Sequence, residues 1–563
     1  MLVTFLPMNK KRIVDAGSNL FHAALENGIH LGGVCAGNKT CGKCKALITK
    51  GNNKIYREEE LKFLTEEERN LGVRLTCCFT ILEDTCVIIL DNREKQCIKE
   101  NSIEQSKTNQ YSTINNKVIL ESGLQSNILK NGMNDHLENT HYGIVIDIGT
   151  TSVAARLWNL EQKNIIDEIS THNPQSLYGA DVIARITYAN SKPDNLRRLT
   201  NLIRECCNNL LIHLATEHNI NKREIESVVV TANTTMSHLF LGKSVERLAK
   251  VPFEGISYEG VELKAYEIGF YMNPDGQVYV MPGIAGHVGS DTLSCILAKD
   301  LNLVKGNHLL VDIGTNGEIA LAKSGELLVC STAAGPAFEG ASLHQGMRAI
   351  EGAISQVNIK NNTIAVTIIS AEKEKTFTYN RDITMQTTAE IRDIYPIGIC
   401  GSGVIEAVSE LRNHHVMDMT GRLLGQAGEN NYVTLWKKDK KEVRLTQKDI
   451  REFQLAKGAI YTGIILLLRN ANLSVSQLDH IDLAGAFGSN INLNKAIHVG
   501  LLPPIDPDKI NYIGNGALDG ASRVLLGEIS HAEAESMSKK IKHLELALCD
   551  DFQDEFLKAM NFT

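Results

Sequence analysis

Alternating apolar and polar positions divide the chain into three kinds of sequence. Leu2–Leu6 and Arg12 to Val14 read as a hairpin. Ser18 then stands where it can cap an amphipathic helix, NLFHAALENGI, which Gly28 helps to end. Between Arg93 and Thr140 the periodicity nearly vanishes, and eight Asn fall among residues 101–140, the composition of a linker. Within it, KVILESGLQSNILKNG keeps enough Ile and Leu for a short helix or a docking segment. From Tyr142 onward strand-like and helix-like runs alternate, the pattern of an α/β protein.

One pattern occurs twice in that third part. GIVIDIGTTS (143–152) and LLVDIGTNGEIA (309–320) each place a β-branched run before Asp-Ile-Gly-Thr, predicting strand, tight turn and strand. Gly149 and Gly314 let backbone N–H groups approach phosphate oxygens, and Thr150, Thr151 and Thr315 add hydroxyl donors. Asn316, Gly317 and Glu318 extend the second turn. Asp147 and Asp312 end the two strands, where they can hold Mg2+ through water or orient an attacking water. A single such turn is also ordinary hairpin chemistry. Two copies predict paired lobes with a nucleotide between them.

Composition narrows the remaining choices. A chain of 563 residues, 43% apolar and 22% charged, is long enough for several domains. Its net charge of -8 argues against a general nucleic-acid binder. Nowhere do 18 apolar residues run together, and the charges of MLVTFLPMNKKR follow a short apolar segment, so no membrane segment or leader is expected and the location is read as cytoplasmic. Thirteen cysteines in such a compartment point to metal ligation rather than disulfides.

The spacing of those cysteines is informative. VCAGNKTCGKC gives C-x5-C-x2-C through Cys35, Cys41 and Cys44, and RLTC offers Cys77 after 32 intervening residues. Thiolates crowded around Gly37 and Gly42 suit an iron–sulfur cluster, whose sulfurs need nearby N–H donors. A four-cysteine zinc site also uses C-x2-C, but usually as two knuckles, and one is present here. The stretch resembles [2Fe-2S] ferredoxins of the adrenodoxin kind over about residues 1–92. That resemblance implies a β-grasp domain with Cys35, Cys41, Cys44 and Cys77 as ligands. Cys78 adjoins Cys77, and the family pattern, in which the ligand follows Arg-Leu and a small residue, selects Cys77.

Further pieces surround the two turns. ANTTMSHLF (232–240) offers Asn and Thr that line a cleft or cap the helix that follows. MPGIAGHVGSDTLSCILA (281–298) is a small-residue helix suited to a hinge or to ordinary close packing, with Asp291 near its start to orient water or to favour the helix dipole. His287 reads as structural. Gly335-Pro336 and Glu339 border the nucleotide or form a packed turn. Gly401 and Ser402 open a helix able to take an anion, and IDLAGAFGSN brings Gly485 and Gly488 to an adenosine site. Phosphate turn, small-residue helix, second turn, strand-GAFG and a final helix, GNGALDGASRVLLG, resemble the series of the actin, sugar kinase and 70-kilodalton heat-shock chaperone superfamily over about residues 142–527.

A ferredoxin-like module fused to such an ATPase resembles one family, the reductive activators of corrinoid enzymes. NPQSLYGADVIARI, STAAGPAFEGA, GICGSGVIEAV, LTQKDIREFQLAKGAI and DDFQDEFLKAMNF carry the likeness further. The resemblance implies an α/β multidomain protein: a β-grasp ferredoxin domain (1–92), a linker (93–140), a first ATPase lobe (141–305), a second lobe (306–530) and a C-terminal tail segment (531–563). It implies a [2Fe-2S] cluster, ATP and Mg2+ as cofactors, a corrinoid protein and an upstream electron donor as partners, and a homodimer, with no nucleic-acid or membrane partner. The implied reaction returns cobalt from Co(II) to Co(I). A gap of about 100–200 mV costs roughly 2.4–4.7 kcal/mol for one electron, which ATP must offset. A small-molecule kinase, a nucleotide-switched binding protein and an ATP-coupled donor to another low-potential enzyme, such as a 2-hydroxyacyl-CoA dehydratase, are the competing readings.

Overall fold

The computed structural model describes residues 1–6, 10–25, 29, 39, 42, 44–51, 56–89, 141–340, 342–360, 363–370, 375–380, 395–439, 441–485 and 491–562. It divides into two units, residues 1–140 and 141–563. The linker segment KVILESGLQSNILKNG lies outside the described residues, as does Gly28.

In the first unit β1 (Leu2–Leu6) pairs antiparallel with β2 (Lys10–Ile13), Leu2 opposite Ile13. Helix α1 (Leu20–Leu25) follows. Its cap is Asn19 rather than Ser18. Asn19 Oδ1 accepts from the Phe21 and His22 amides at 3.0 and 3.3 Å, whereas the Ser18 carbonyl is taken by Ile81 N–H and its amide by Asp15. Strand-like pairing thus holds Ser18 outside the helix. Next come β3 (Lys45–Lys50), α2 (Glu58–Leu61), α3 (Glu66–Asn70), β4 (Val73–Leu75) and β5 (Thr85–Ile89). The sheet order is β2-β1-β5-β3-β4, with β5 parallel to β1, over a core of Val3, Phe5, Leu20, Leu75, Ile81 and Val87.

The second unit opens with β6 (Tyr142–Ile148), β7 (Ser152–Asn159) and β8 (Asn164–His172), then α4 (Val182–Ser191), α5 (Pro193–Glu217), β9 (Ile225–Ala232) and α6 (Thr234–Leu241). Strand β10 (Val261–Lys264), α7 (Ala265–Ile268), β11 (Gln277–Val280) and α8 (Ser290–Ala298) complete the first lobe. The second lobe repeats the opening with β12 (Asn307–Ile313), β13 (Gly317–Lys323) and β14 (Glu326–Thr332). A small sheet of β15 (Ala353–Lys360), β16 (Thr363–Ile368), β17 (Lys375–Asn380) and β18 (Gly398–Ile399) packs with α9 (Gly401–Asn413). After α10 (Gly425–Asn430), the hairpin of β19 (Tyr432–Lys438) and β20 (Lys441–Thr446) leads into α11 (Gln447–Asn470), where Thr446 and Asp449 cap each other's amides. The chain then runs through β21 (His480–Ala484), α12 (Leu493–His498), β22 (Ile510–Tyr512), α13 (Gly516–Leu525), α14 (His531–Lys540), β23 (Lys542–His543) and α15 (Phe552–Met560).

The duplication is visible in the sheets. Orders β8-β7-β6-β9-β11-β10 and β23-β14-β13-β12-β21-β22 share a meander whose first strand lies parallel to a later one, β9 or β21. Between the sheets, α8 packs directly on α13, and α13 lies on β6 and β9 while α8 reaches β12 and β13. Small residues permit this: a Cβ on Gly520 would fall on the Ser294 carbonyl, and one on Gly516 would come within 3.0 Å of Cys295 Sγ. Val145, Val229, Leu293, Leu310, Ala320 and Leu518 form one apolar core across both lobes.

From β23 onward the closing segment belongs to the second lobe's fabric, whereas α14 reaches the first lobe through His531 on Glu262 and Ser538 on the Gly283 carbonyl. Strand β23 pairs with β14, α15 packs on α11, and buried Phe562 stacks on Phe453 with centroids 6.2 Å apart. Gln454 Nε2 donates to the Met560 carbonyl at 2.7 Å, and buried Lys457 donates to that of Asn561.

Candidate functional site

Two of the expected cluster ligands are described and they meet. Cys44 precedes β3 and Cys77 follows β4, and their sulfurs lie 3.2 Å apart, both buried. Two thiolates on one tetrahedral metal with bonds of about 2.3 Å stand about 3.8 Å apart, so small side-chain adjustments would let both ligate one iron. Thr76 fastens the two segments, its amide and hydroxyl both donating to the Cys44 carbonyl at 2.9 and 3.1 Å. Cys78 Sγ lies 3.9 Å behind Cys77 Sγ. Cys35 and Cys41 lie outside the described residues. Gly42 has φ +66, and a Cβ there would strike the Phe63 ring at 2.5 Å, so only glycine suits this point of the loop.

A buried ion pair sets the approach to Cys77. Arg74 donates to Glu60 through Nε at 2.8 Å and Nη2 at 2.6 Å, and Glu60 also takes the Leu75 amide at 3.1 Å. The guanidinium lies 4.4 Å from the Tyr56 ring centroid and 5.3 Å from that of Phe79. The Arg-Leu ahead of the cysteine therefore has a local physical role.

In the second unit both repeated turns open on one cavity of about 400 Å3. Asp147, Gly149, Thr150 and Thr151 line it from one side, and Asp312, Gly314, Thr315, Asn316 and Glu318 from the other. Asp291, Gly401, Ser402 and Gly485 also line it. Gly317 does not line it. Gly317 begins β13, where a Cβ would meet Thr332 Oγ1 at 2.7 Å and Ile460 at 2.9 Å, so its smallness serves packing on α11. Gly488 lies outside the described residues. Gly485 has φ +96 and sits so close to Asp312 Oδ1 and the Ile313 carbonyl that a Cβ would lie 2.8 and 2.7 Å from them.

Each turn is braced from behind. Asn173 donates to the Gly149 carbonyl at 2.8 Å, and Asn233 donates to Thr150 Oγ1 at 3.0 Å while accepting from the Met236 amide to cap α6. Both readings of Asn233, cleft and cap, are realised. Arg185, fully buried, donates to the Thr150 carbonyl and to that of Gly179. Burial lowers its pKa, and the charges of Asp181 and Glu339 oppose that shift. Asp291 is delivered by α8, whose Ser290 hydroxyl bonds both the amide and carbonyl of Ala232 at 2.9 and 3.1 Å. Across the cleft, Thr151 and Thr315 hydroxyls are 2.9 Å apart, and Glu339 accepts from both. Arg348 reaches His172 of β8.

The cavity's electrostatics are strongly acidic. Burial, then the charges of Asp291 and Asp312, push Asp147 up to about 8. Burial and Asp291 push Asp312 up to about 7, and burial pushes Asp291 up to about 6 against the bonds it accepts from Thr292. Glu318 is raised well above the ordinary carboxylate range by burial and by Asp291 and Asp312. Asn515, the cap of α13, donates to Asp147 Oδ2 at 3.3 Å. Sequence reasoning missed Asn515, Asn173, Arg185 and Arg348 as parts of this site. Asn immediately before a helix was the available signal for Asn173 and Asn515.

A model of the 2Fe-2S iron-sulfur cluster binding domain matches residues 6–82, one of the RACo middle region matches 142–303, and one of the C-terminal domain of RACo, the ASKHA domain, matches 306–563. The corrinoid activation enzyme RamQ of Eubacterium limosum is 34% identical over 444 residues, 76% of this chain and 71% of the relative. The chain belongs to the RACo family of corrinoid reductive activators. This RACo-family protein is also 26% identical over 440 residues to a [Co(II) methylated amine-specific corrinoid protein] reductase of Methanosarcina barkeri, 75% of the chain and 77% of the relative. A solved structure of a reductive activator for corrinoid, iron-sulfur protein superposes with a TM-score of 0.65 at 29% identity, covering 100% of this chain and 98% of that one. The ATP-binding type of fold and the cluster-binding type of domain are thereby set for the RACo-family chain. Among the described residues no helix is long and apolar enough to cross a membrane.

Proposed function

We propose that this protein is an ATP-dependent reductive activator that passes one electron from its [2Fe-2S] cluster to the cobalt of a corrinoid protein, converting Co(II) to Co(I). The observation that carries this reading is the pairing of Thr151 with Thr315 across a carboxylate-lined cavity, in a chain that also brings Cys44 against Cys77. A kinase of the same fold has no use for the second feature.

The overall change moves one electron from an upstream low-potential donor to cobalt, while ATP and water become ADP and phosphate. Cys35, Cys41, Cys44 and Cys77 would hold the [2Fe-2S] cluster, which would supply the one-electron carrier. Amides and hydroxyls of the two turns hold the phosphates from opposite lobes. Asp147, Asp312 and Glu318 are hard oxygen donors, raised by burial and by the carboxylates around them, and they would hold Mg2+, whose charge would favour their ionised forms. Asp291 lines the same cavity and is raised to about 6 by burial, which supports a role in taking the proton of the attacking water. Closing and opening of the lobes about α8 and α13 would convert nucleotide state into affinity for the corrinoid protein. The homodimer implied by the family resemblance belongs to the same proposal and is read by sedimentation.

The test is anaerobic. A Co(II) corrinoid protein is mixed with this protein and a reductant, with and without Mg-ATP, and the visible spectrum is followed. Co(I) should grow only with ATP. Equal growth without nucleotide, or ATP hydrolysis with no Co(I) from several corrinoid proteins, would overturn the reading.

A further inference from the structure

The hydroxyls best placed to receive phosphate are already engaged. Thr151 Oγ1 donates to Glu339 Oε2 at 2.6 Å, and Thr315 Oγ1 donates to Glu339 Oε1 at 2.7 Å. One carboxylate thus accepts a hydroxyl hydrogen bond from each lobe, its two oxygens spanning the turns as two oxygens of a phosphate would. Glu339 belongs to neither turn. It sits on the segment after β14, between Gly335 and Gly340, whose φ values of +72 and +75 put glycine at both ends of a short arm. Buried Ala337 and Phe338 root the middle of that arm. Glu339 also lines the cavity, and its charge is felt by buried Arg185 behind the first turn.

We propose that Glu339 is a built-in stand-in for the nucleotide's phosphate, a latch that ties Thr151 to Thr315 until phosphate displaces it. The inference rests on the nucleotide reading above and adds a positioning residue to it. A phosphate entering between the turns needs the same two hydroxyls and repels the same carboxylate, so binding and latch exclude each other. Because Ala337 and Phe338 root the backbone beside it, the displaced carboxylate turns away by its own side-chain torsions. Adenosine, which brings no phosphate, leaves the latch in place.

The experiment uses the full-length, cluster-loaded protein and calorimetric titration with ATP and with adenosine, for wild type, E339A and E339Q. Removing a charged competitor for two hydroxyls should tighten ATP about tenfold or more. Adenosine affinity should move by less than about twofold, and the KM for ATP should fall by a larger factor than kcat changes. E339Q, which keeps the volume and loses the charge, should fall between and carries the test if E339A does not fold. ATP bound by folded E339Q no more tightly than by wild type would overturn the latch alone. Absence of ATP binding by wild type would overturn the latch and the nucleotide reading together.

Discussion

Thr151 and Thr315 place their hydroxyls 2.9 Å apart although 164 residues separate them. Thr315 closes its own Asp-Ile-Gly-Thr turn, whereas Thr151 stands one residue past the end of the other, so the two turns meet across the cleft one residue out of step. Replacing either by Val keeps the shape and removes the hydroxyl. Loss of one such bond to a charged group is worth roughly 1.5–3 kcal/mol. T315V should therefore lower kcat/KM for ATP by about 10- to 100-fold while the visible spectrum of the cluster stays as in wild type. A spectrum that changes with T315V would show a folding defect instead.

The carboxylates make the nucleotide-free protein pH-sensitive in a defined direction. Folded Asp147 at about 8, Asp312 at about 7 and Asp291 at about 6 bind protons that the unfolded chain, with its Asp near the ordinary value of 3.8, has already released. The folded state holds more protons over that window, so stability falls as pH rises from about 4 to about 8. Melting temperature without divalent cation should decline across pH 5–8, D147N should flatten the decline, and added Mg2+ should restore part of it at the alkaline end. A melting temperature that climbs over this range would contradict the assignment.

Cys77 and Cys78 make a simple pair of variants. C77S should abolish cluster absorbance after reconstitution, since its sulfur is the one against Cys44. C78S should retain it. Anaerobic reconstitution followed by visible spectroscopy decides, and the opposite outcome would reassign the fourth ligand.

The Glu60–Arg74 pair is fully enclosed, at 0% and 2% exposure, so removing one partner strands the other. E60A should destabilise the N-terminal unit by about 3–5 kcal/mol and release the cluster at a lower temperature. ATP binding by the second unit supplies the control, and calorimetry on the full chain reads both transitions.

Gly520 tests the hinge. A methyl there collides with the backbone of Ser294 rather than with a movable side chain, so α8 and α13 must separate. G520A should lower the melting temperature of the second unit and depress ATP-dependent Co(I) formation by a larger factor than ATP binding. An unchanged ratio of Co(I) formed to ATP bound would remove the helix pair from the coupling.

Much of this protein was written locally. The repeated DIGT turns, the thiol spacing and the small-residue stretches are short patterns whose physics lies within about ten residues: strand pairing across a turn, glycine at positive φ and ligands on one loop. Those patterns brought the two lobes, the cluster module and most of the cleft residues into view. What the tertiary structure decided lies farther apart along the chain. Asn515 reaches Asp147 over 368 residues and Glu339 reaches Thr151 over 188, and neither meeting leaves a periodic trace, because it depends on how two sheets pack through α8 and α13. Gly317 shows the same limit from the other side. Its sequence suits a phosphate turn, but the strand pairing of β13 turns it toward Thr332 and Ile460. Even the first helix cap moved by one residue, from Ser18 to Asn19, because Ile81, distant in sequence, had already taken the Ser18 carbonyl. Local chemistry supplied the parts of the site, and close packing between distant segments chose which of them face one another.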